Sequence, residues 1–242
     1  MKKLIFSLLC VLLPLNAWAS GGEEVHLDRV HLDLHDKESL QRGAKWFTNY
    51  CMGCHALGYS RYERVADDLE IPHDVMLDNL VFPDKKIGEL MDIAMPKSLA
   101  KKWFGAAPPD LTLVARARGP EWVYTYLRSF YVDDSRPLGV NNLVFKDVGM
   151  PHAMLELQGT QTCKEKEEST GRCSHVEHVE GTGLLSPKEF DAAVYDMVNF
   201  LEYVGEPMQL ERKEIGVWVL IYVLILGVFC YFLNREYWKD IH

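Results

Sequence analysis

No internal repeat and no low-complexity tract occurs in the 242 residues, which excludes solenoids and other stacked arrays. Positive charge is short: 26 Lys and Arg stand against 35 Asp and Glu, a net charge of −9. That balance argues against nucleic acid and points weakly to a basic protein partner met by electrostatic steering. No acid–base pair calls for a substrate pocket, so nothing marks the chain as a complete enzyme by itself. A four-ligand zinc set is also missing. Cys163 and Cys173 lack the C-x-x-C form, and His26, His31 and His35 recur in what reads as an alternating extended segment.

Long apolar runs are confined to the two ends. Lys2 and Lys3, the apolar stretch Leu4 to Leu15 and the small-residue step Ala17-Trp18-Ala19 form the three-part layout of a secretory signal, expected over 1–19. Its removal takes the balance to 24 − 35 = −11. At the other end Ile215 to Leu233 carries no charge over 19 residues. At about 1.5 Å per residue that run is a rod near the roughly 30 Å hydrocarbon thickness. Tyr237 and Trp238 follow where an aromatic belt would lie. The basic flanks are matched, so orientation follows from the signal: 20–214 in the periplasm of a bacterium, 215–233 in its inner membrane, 234–242 in the cytoplasm.

Six cysteines then partition by place. Cys10 lies in the signal and Cys230 in the span. Cys163 and Cys173 flank a short charged loop and, in an oxidising compartment, are expected to pair as a disulfide. Cys51 and Cys54 remain, in NYCMGCHALG, with His55 directly after the second.

Three chemistries compete for that pair. A thioredoxin-type thiol needs a helix N-terminus to lower its pKa, whereas here Leu40, Gly43, Ala44, Phe47 and Tyr50 place the cysteines at the C-terminal end of a helix. A zinc site lacks its other ligands. C-x-x-C-H is the attachment pattern of c-type haem: two thiols add to the two vinyl groups, and the next residue sets an imidazole beneath the iron. Export is a condition of that chemistry, and the signal supplies it. One such motif means one covalently bound haem c. For the opposite face of the iron, Met91, Met95, Met150, Met154, His73 and His152 are all candidates by spacing.

Four stretches narrow the field: SLQRGAKWFTNYCMGCH (39–55), GAAPPDLTLVARARG (105–119) followed by WVYTYLRSFY, NNLVFKDVGMPHAM (141–154), and the single anchor. In this order they resemble cytochrome c1, the haem subunit of the cytochrome bc1 complex, over nearly the whole mature chain. The resemblance implies Met150 of G-M-P as sixth ligand, Arg118 of R-A-R-G on a haem propionate, and the Pro108–Pro109 turn along the haem face. Arg116 reads equally as a pocket or a surface charge. The implied function is electron transfer, from the Rieske iron–sulfur protein to a soluble cytochrome c, beside cytochrome b in a dimeric complex. A free-standing membrane-anchored cytochrome c shuttle and a membrane-tethered thiol–disulfide oxidoreductase are the alternatives.

The expected fold is mainly α: a class I cytochrome c-like haem domain with long inserted loops, plus one C-terminal transmembrane helix. Ser186 and Pro187 start a long helix over 186–207 that packs on the helix at 39–50, and 121–131 is a third helix. Residues 56–104 and 132–185 read as long connections with short helices.

Overall fold

A computed structural model describes residues 25–82, 84–167 and 171–240. The expected signal segment lies outside them. Two long helices organise the haem domain. Helix α1 spans Lys37–Tyr50; Asp36 caps it, its carboxylate accepting from the Ser39 amide at 2.9 Å. Helix α8 spans Pro187–Gly205 and starts with a reciprocal capping box between Ser186 and Glu189. The two form the most extensive helix–helix contact of the domain.

Their close approach is written at Gly43. A Cβ there would stand 2.1 Å from the Asp196 carbonyl oxygen and 2.6 Å from Phe200 Cβ, so only glycine lets the backbones meet. Polar groups lock the same crossing. The buried Asp196 carboxylate accepts from Ser39 Oγ at 2.7 Å and from Arg42 Nε and Nη2 at 2.7 and 3.0 Å. Asn199 Nδ2 donates to Ser39 Oγ and to the Asp33 carbonyl. Phe47 and Phe200, both fully buried, fill the crossing below with ring centroids 6.1 Å apart. The crossing is thus joined by buried polar contacts as well as by packing, with Asn199 Oδ1 the one atom of this group left without a hydrogen-bond partner among the described residues.

Short elements surround this pair. Strand β1 (Leu57–Arg61) pairs with β2 (Leu90–Met91), and between them lie α2 (Tyr62–Asp68) and α3 (His73–Asn79). Helix α4 (Lys97–Phe104) precedes α5 (Val114–Arg118) and α6 (Pro120–Arg128), the observed form of the helix expected at 121–131. Strands β3 (Phe130–Val132) and β4 (Val140–Asn142) pair antiparallel, followed by α7 (Leu155–Gln158). A hairpin of β5 (Gln161–Lys166) and β6 (Cys173–His178) comes next, closed by a Cys163–Cys173 disulfide. The regions expected as connections with short helices thus also contain two two-stranded sheets and strand β4, and the helix expected to reach 131 stops at Arg128, its last residues forming β3.

The hairpin is tied to the domain by side chains. Gln161 Nε2 donates to the Arg128 and Phe130 carbonyls at 2.8 Å, and His178 Nε2 donates to the Gln158 carbonyl at 2.7 Å. The disulfide spans ten positions of sequence, so its loop-closure contribution is about 2–3 kcal/mol. Replacing both cysteines by serine is therefore expected to lower stability by that amount, readable as a lower midpoint in urea with an unchanged slope.

Helix α9 spans Gln209–Tyr237, 29 residues with none buried. It is long and apolar enough to cross a membrane. Helical structure begins six residues ahead of the charge-free run, because Gln209 to Glu214 are good helix formers and Arg212 pairs with Glu206.

Candidate haem site

The two cysteines sit on a tight turn at the end of α1. The Cys51 amide donates to the Phe47 carbonyl, and the Cys51 carbonyl accepts from both the Cys54 and His55 amides, at 3.0 and 2.9 Å. This turn closes the helix and brings both sulfurs and the His55 ring to one end of it. Cys51 is buried, its thiol 3.6 Å from Met197 Sδ, and Cys54 is half-buried on a cavity wall. Burial, with Cys54 adding to it, pushes the Cys51 thiol up to about 12. That is opposite to the lowered pKa an exchange nucleophile needs.

His55 is 8% exposed, and its Nδ1 lies 2.7 Å from the Pro109 carbonyl oxygen. A carbonyl only accepts, so Nδ1 carries the proton and Nε2 keeps a lone pair. Among the described residues Nε2 has no hydrogen-bond partner. Burial lowers the His55 pKa, against the opposing pull of the Pro109 hydrogen bond and of Asp110, so the ring is held neutral. A neutral imidazole fixed through one nitrogen and free at the other is the form that ligates a metal. With two thiols on the same turn, these residues fit a c-type haem.

Pro109 is itself held in place. The Leu111 amide donates to the Ala56 carbonyl at 2.9 Å, while the Asp110 carboxylate accepts from the Gly58 and Thr112 amides at 2.7 and 2.8 Å. The 107–112 segment is thereby stitched to the chain leaving the haem motif. Beside it a cavity of about 290 Å³ opens, walled by Cys54, Ile93, Met95, Ala100 and Pro108 among others.

The two arginines of R-A-R-G part company. Arg116 forms an ion pair with Glu206 at 3.5 Å and lies close against Gly205, which ties α5 to the end of α8. Arg118 is exposed, 5.3 Å above the Trp122 ring, and forms no ion pair among the described residues. Trp122 opens an aromatic row along α6 and into β3. It stacks on Tyr126 at 4.9 Å, Tyr126 meets Phe130 edge-on at 5.2 Å, and Phe130 stacks on His152 at 4.9 Å.

Met150 stands against this row. Tyr126 Oη donates to its sulfur at 3.3 Å, and burial raises the Tyr126 pKa, so the phenol stays protonated as a donor. The remaining candidates occupy other settings. Met91 and Met154 are core residues at 1% and 3% exposure. His73 is exposed and bonded to Asp67; His152 is held neutral by burial, which pushes its pKa down to about 4. His26, His31 and His35 belong to no metal-binding cluster among the described residues.

The asparagine pair at 141 and 142 has a role that no sequence motif announces. Asn142 is 1% exposed; its Nδ2 donates to the Tyr126 carbonyl at 2.8 Å, and its Oδ1 accepts from the Val144 and Phe145 amides. Asn141 Oδ1 accepts from the Asp147 amide at 2.9 Å. These amides shape the loop that delivers Gly149 and Met150. Its one trace in the sequence is an Asn-Asn step ahead of the Gly-Met-Pro turn.

Comparison with known proteins decides what this site belongs to. Residues 28–241 match the model of the cytochrome C1 family. The chain belongs to the cytochrome c1 family. As a family member it is an electron-transfer haem subunit of the cytochrome bc1 complex, with a c-type haem as cofactor and a C-terminal helix that fits a membrane anchor. It is 52% identical to a cytochrome c1 of Allochromatium vinosum, with both chains covered in full. It is 43% identical, again over the whole of both chains, to a Nitrosomonas europaea protein described as ammonia monooxygenase gamma subunit. Identity to a cytochrome c1 of Rhodobacter capsulatus is 24%, over 84% of each chain.

Proposed function

We propose that this family member carries one haem, held covalently through Cys51 and Cys54, with His55 and Met150 as axial ligands and Arg118 on a propionate. Bound there, the group supplies a one-electron ferric/ferrous couple. The chain takes an electron from the Rieske iron–sulfur protein and passes it to a soluble cytochrome c, beside cytochrome b in a dimeric complex. The domain of 20–214 faces the periplasm after loss of 1–19, with 215–233 in the inner membrane and 234–242 in the cytoplasm.

The observation that carries this reading is His55 Nδ1 on the Pro109 carbonyl, 2.7 Å away, on the same turn as both cysteines. Each further residue has one task. Asp110 holds the carbonyl that orients the imidazole. Tyr126 aims and steadies the Met150 sulfur. The Arg118 guanidinium, with no ion-pair partner among the described residues, suits a carboxylate through two parallel hydrogen bonds. A thioether is a soft, neutral donor that favours the ferrous state, which suits an acceptor of electrons from quinol oxidation.

The test is purification from native membranes with a tag on this chain. The expected result is co-purification with a b-type cytochrome and a Rieske protein, and quinol-driven reduction of the c-type haem that disappears when the Rieske protein is removed. Isolation alone would favour the free-standing shuttle. Isolation with a monooxygenase, as the name of the Nitrosomonas relative suggests for that protein, would also contradict the proposal.

A further inference from the structure

One segment runs against the sign of the rest. Residues 84–102 hold Lys85, Lys86, Lys97, Lys101 and Lys102 against Asp84, Glu89 and Asp92, in a chain whose acids outnumber its bases 35 to 26. Helix α4 concentrates the excess: three lysines in eight residues and no acid in its first turn. Only Ala100 of the helix is buried, while Trp103 is 59% and Leu99 42% exposed. Lys97, Lys101 and Lys102 form no ion pair or hydrogen bond among the described residues.

The position of α4 gives this face a use. Lys97 and Ala100 line the cavity beside Cys54, at one end of the helix. At the other end the Phe104 carbonyl oxygen lies 4.0 Å from where a Cβ of Gly149 would be, next to Met150. The helix therefore borders the site from the Cys54 sulfur to the G-M-P turn. Asp92 and Asp110 stand on the same cavity wall, and both Asp110 oxygens are committed to backbone amides. Screening over about 8 Å at physiological ionic strength makes an approaching protein sense the local lysines rather than the distant acidic excess.

We infer that α4 is the docking element for the soluble electron acceptor, and that this acceptor presents an acidic face around its own redox group. The inference rests on the electron-transfer reading above. A donor tethered in the same complex needs no long-range steering, whereas a diffusing acceptor gains encounter rate from unpaired charge. Trp103 and Leu99 supply the apolar contact that holds the encounter once made. This reverses, at the face that matters, the basic partner that net charge alone suggests.

The probes are a basic mitochondrial-type cytochrome c and the same protein with its lysines partly succinylated, which makes it acidic, each used after its own potential and spectrum are recorded. The holoprotein in its detergent-purified membrane complex is reduced with ascorbate, freed of excess reductant and mixed with each probe in a stopped-flow instrument. The expected result is faster reduction of the acidic probe at low salt, with a rate that falls as salt is added. Combined Lys97→Glu, Lys101→Glu and Lys102→Glu substitution lowers that rate about tenfold or more and inverts its salt dependence. Trp103→Ala slows the reaction and leaves the salt dependence as it was.

The haem spectrum of all variants matches the parent, and the midpoint potential of each is measured so that rates are compared at known driving force, since Lys97 lines the cavity beside Cys54. Preference for the basic probe, or rates to the acidic probe that the triple substitution leaves unchanged, would overturn the inference. Failure of quinol to reduce the parent complex counts instead against the proposed function, because the docking measurement starts from ascorbate-reduced protein.

Discussion

Met150→Leu lowers the midpoint potential by an amount on the order of 100 mV or more, a sizeable part of the roughly 0.8 V that axial ligands command. Leucine fills nearly the same volume, so packing changes little, within about 1.5 kcal/mol for such swaps. What it removes is the thioether, the soft donor that favours the ferrous state. It also strips the half-buried Tyr126 hydroxyl of its 3.3 Å acceptor, which adds a cost of about 1 kcal/mol. With Met150 as the proposed sixth ligand, the ferrous variant is expected to bind carbon monoxide and the parent to resist it. Met95→Leu is the control, because Met95 lines the cavity beside Cys54 and stands among the candidates that spacing alone allows. It is expected to keep the parent potential and spectrum. Redox titration with and without carbon monoxide reads both variants, and a high-potential Met150→Leu protein would remove Met150 from the ligand set.

Gly43→Ala is expected to destabilise the domain by at least about 2 kcal/mol, lowering its thermal midpoint by roughly 4–8 °C. Alanine ordinarily favours a helix over glycine by about 1 kcal/mol, so the exchange should stabilise an isolated α1. Here the added methyl meets backbone: the Asp196 carbonyl oxygen at 2.1 Å, where no side chain can move aside. The helices must part, and the Ser39, Arg42 and Asn199 hydrogen bonds gathered around Asp196 stretch with them. Because α1 also carries the cysteine turn, the displacement reaches the haem motif. Gly53→Ala, with nothing within 4 Å of its Cβ, is the control and leaves the midpoint nearly unchanged. Circular dichroism against temperature separates the two.

The elements legible in the sequence are those whose signals are local. Asp36 and Ser186 mark helix starts by their own side chains, and the 3.6-residue period of Phe190, Val194, Met197 and Leu201 marks the buried face of α8. The charge-free run of α9 needs no tertiary information at all. The small sheets were not legible. Strand β2 has two residues, and β5 and β6 read QTCKEK and CSHVEH, where exposure on both faces leaves no alternation to find.

At the site the same distinction holds. C-x-x-C-H is contiguous and announces itself, whereas the partner of His55 lies 54 positions away and is a backbone carbonyl, which no side-chain pattern encodes. Spacing treats Arg116 and Arg118 alike, and only the family resemblance assigns Arg118 to a propionate while leaving Arg116 open. Glu206, ninety positions on, separates them by taking Arg116 into an ion pair. The Asn142–Tyr126–Met150 series stayed hidden for a similar reason: its first link runs from a side chain to a main-chain oxygen.

Haem content per chain tests the central claim most directly. The chain, purified from its native membrane, is extracted with acidified acetone and the protein residue is assayed as its pyridine haemochrome. Retention of one haem per polypeptide with a c-type spectrum, lost when Cys51 and Cys54 are both replaced by serine, is the predicted result. A colourless protein, or a haem that the solvent carries away intact, would contradict it.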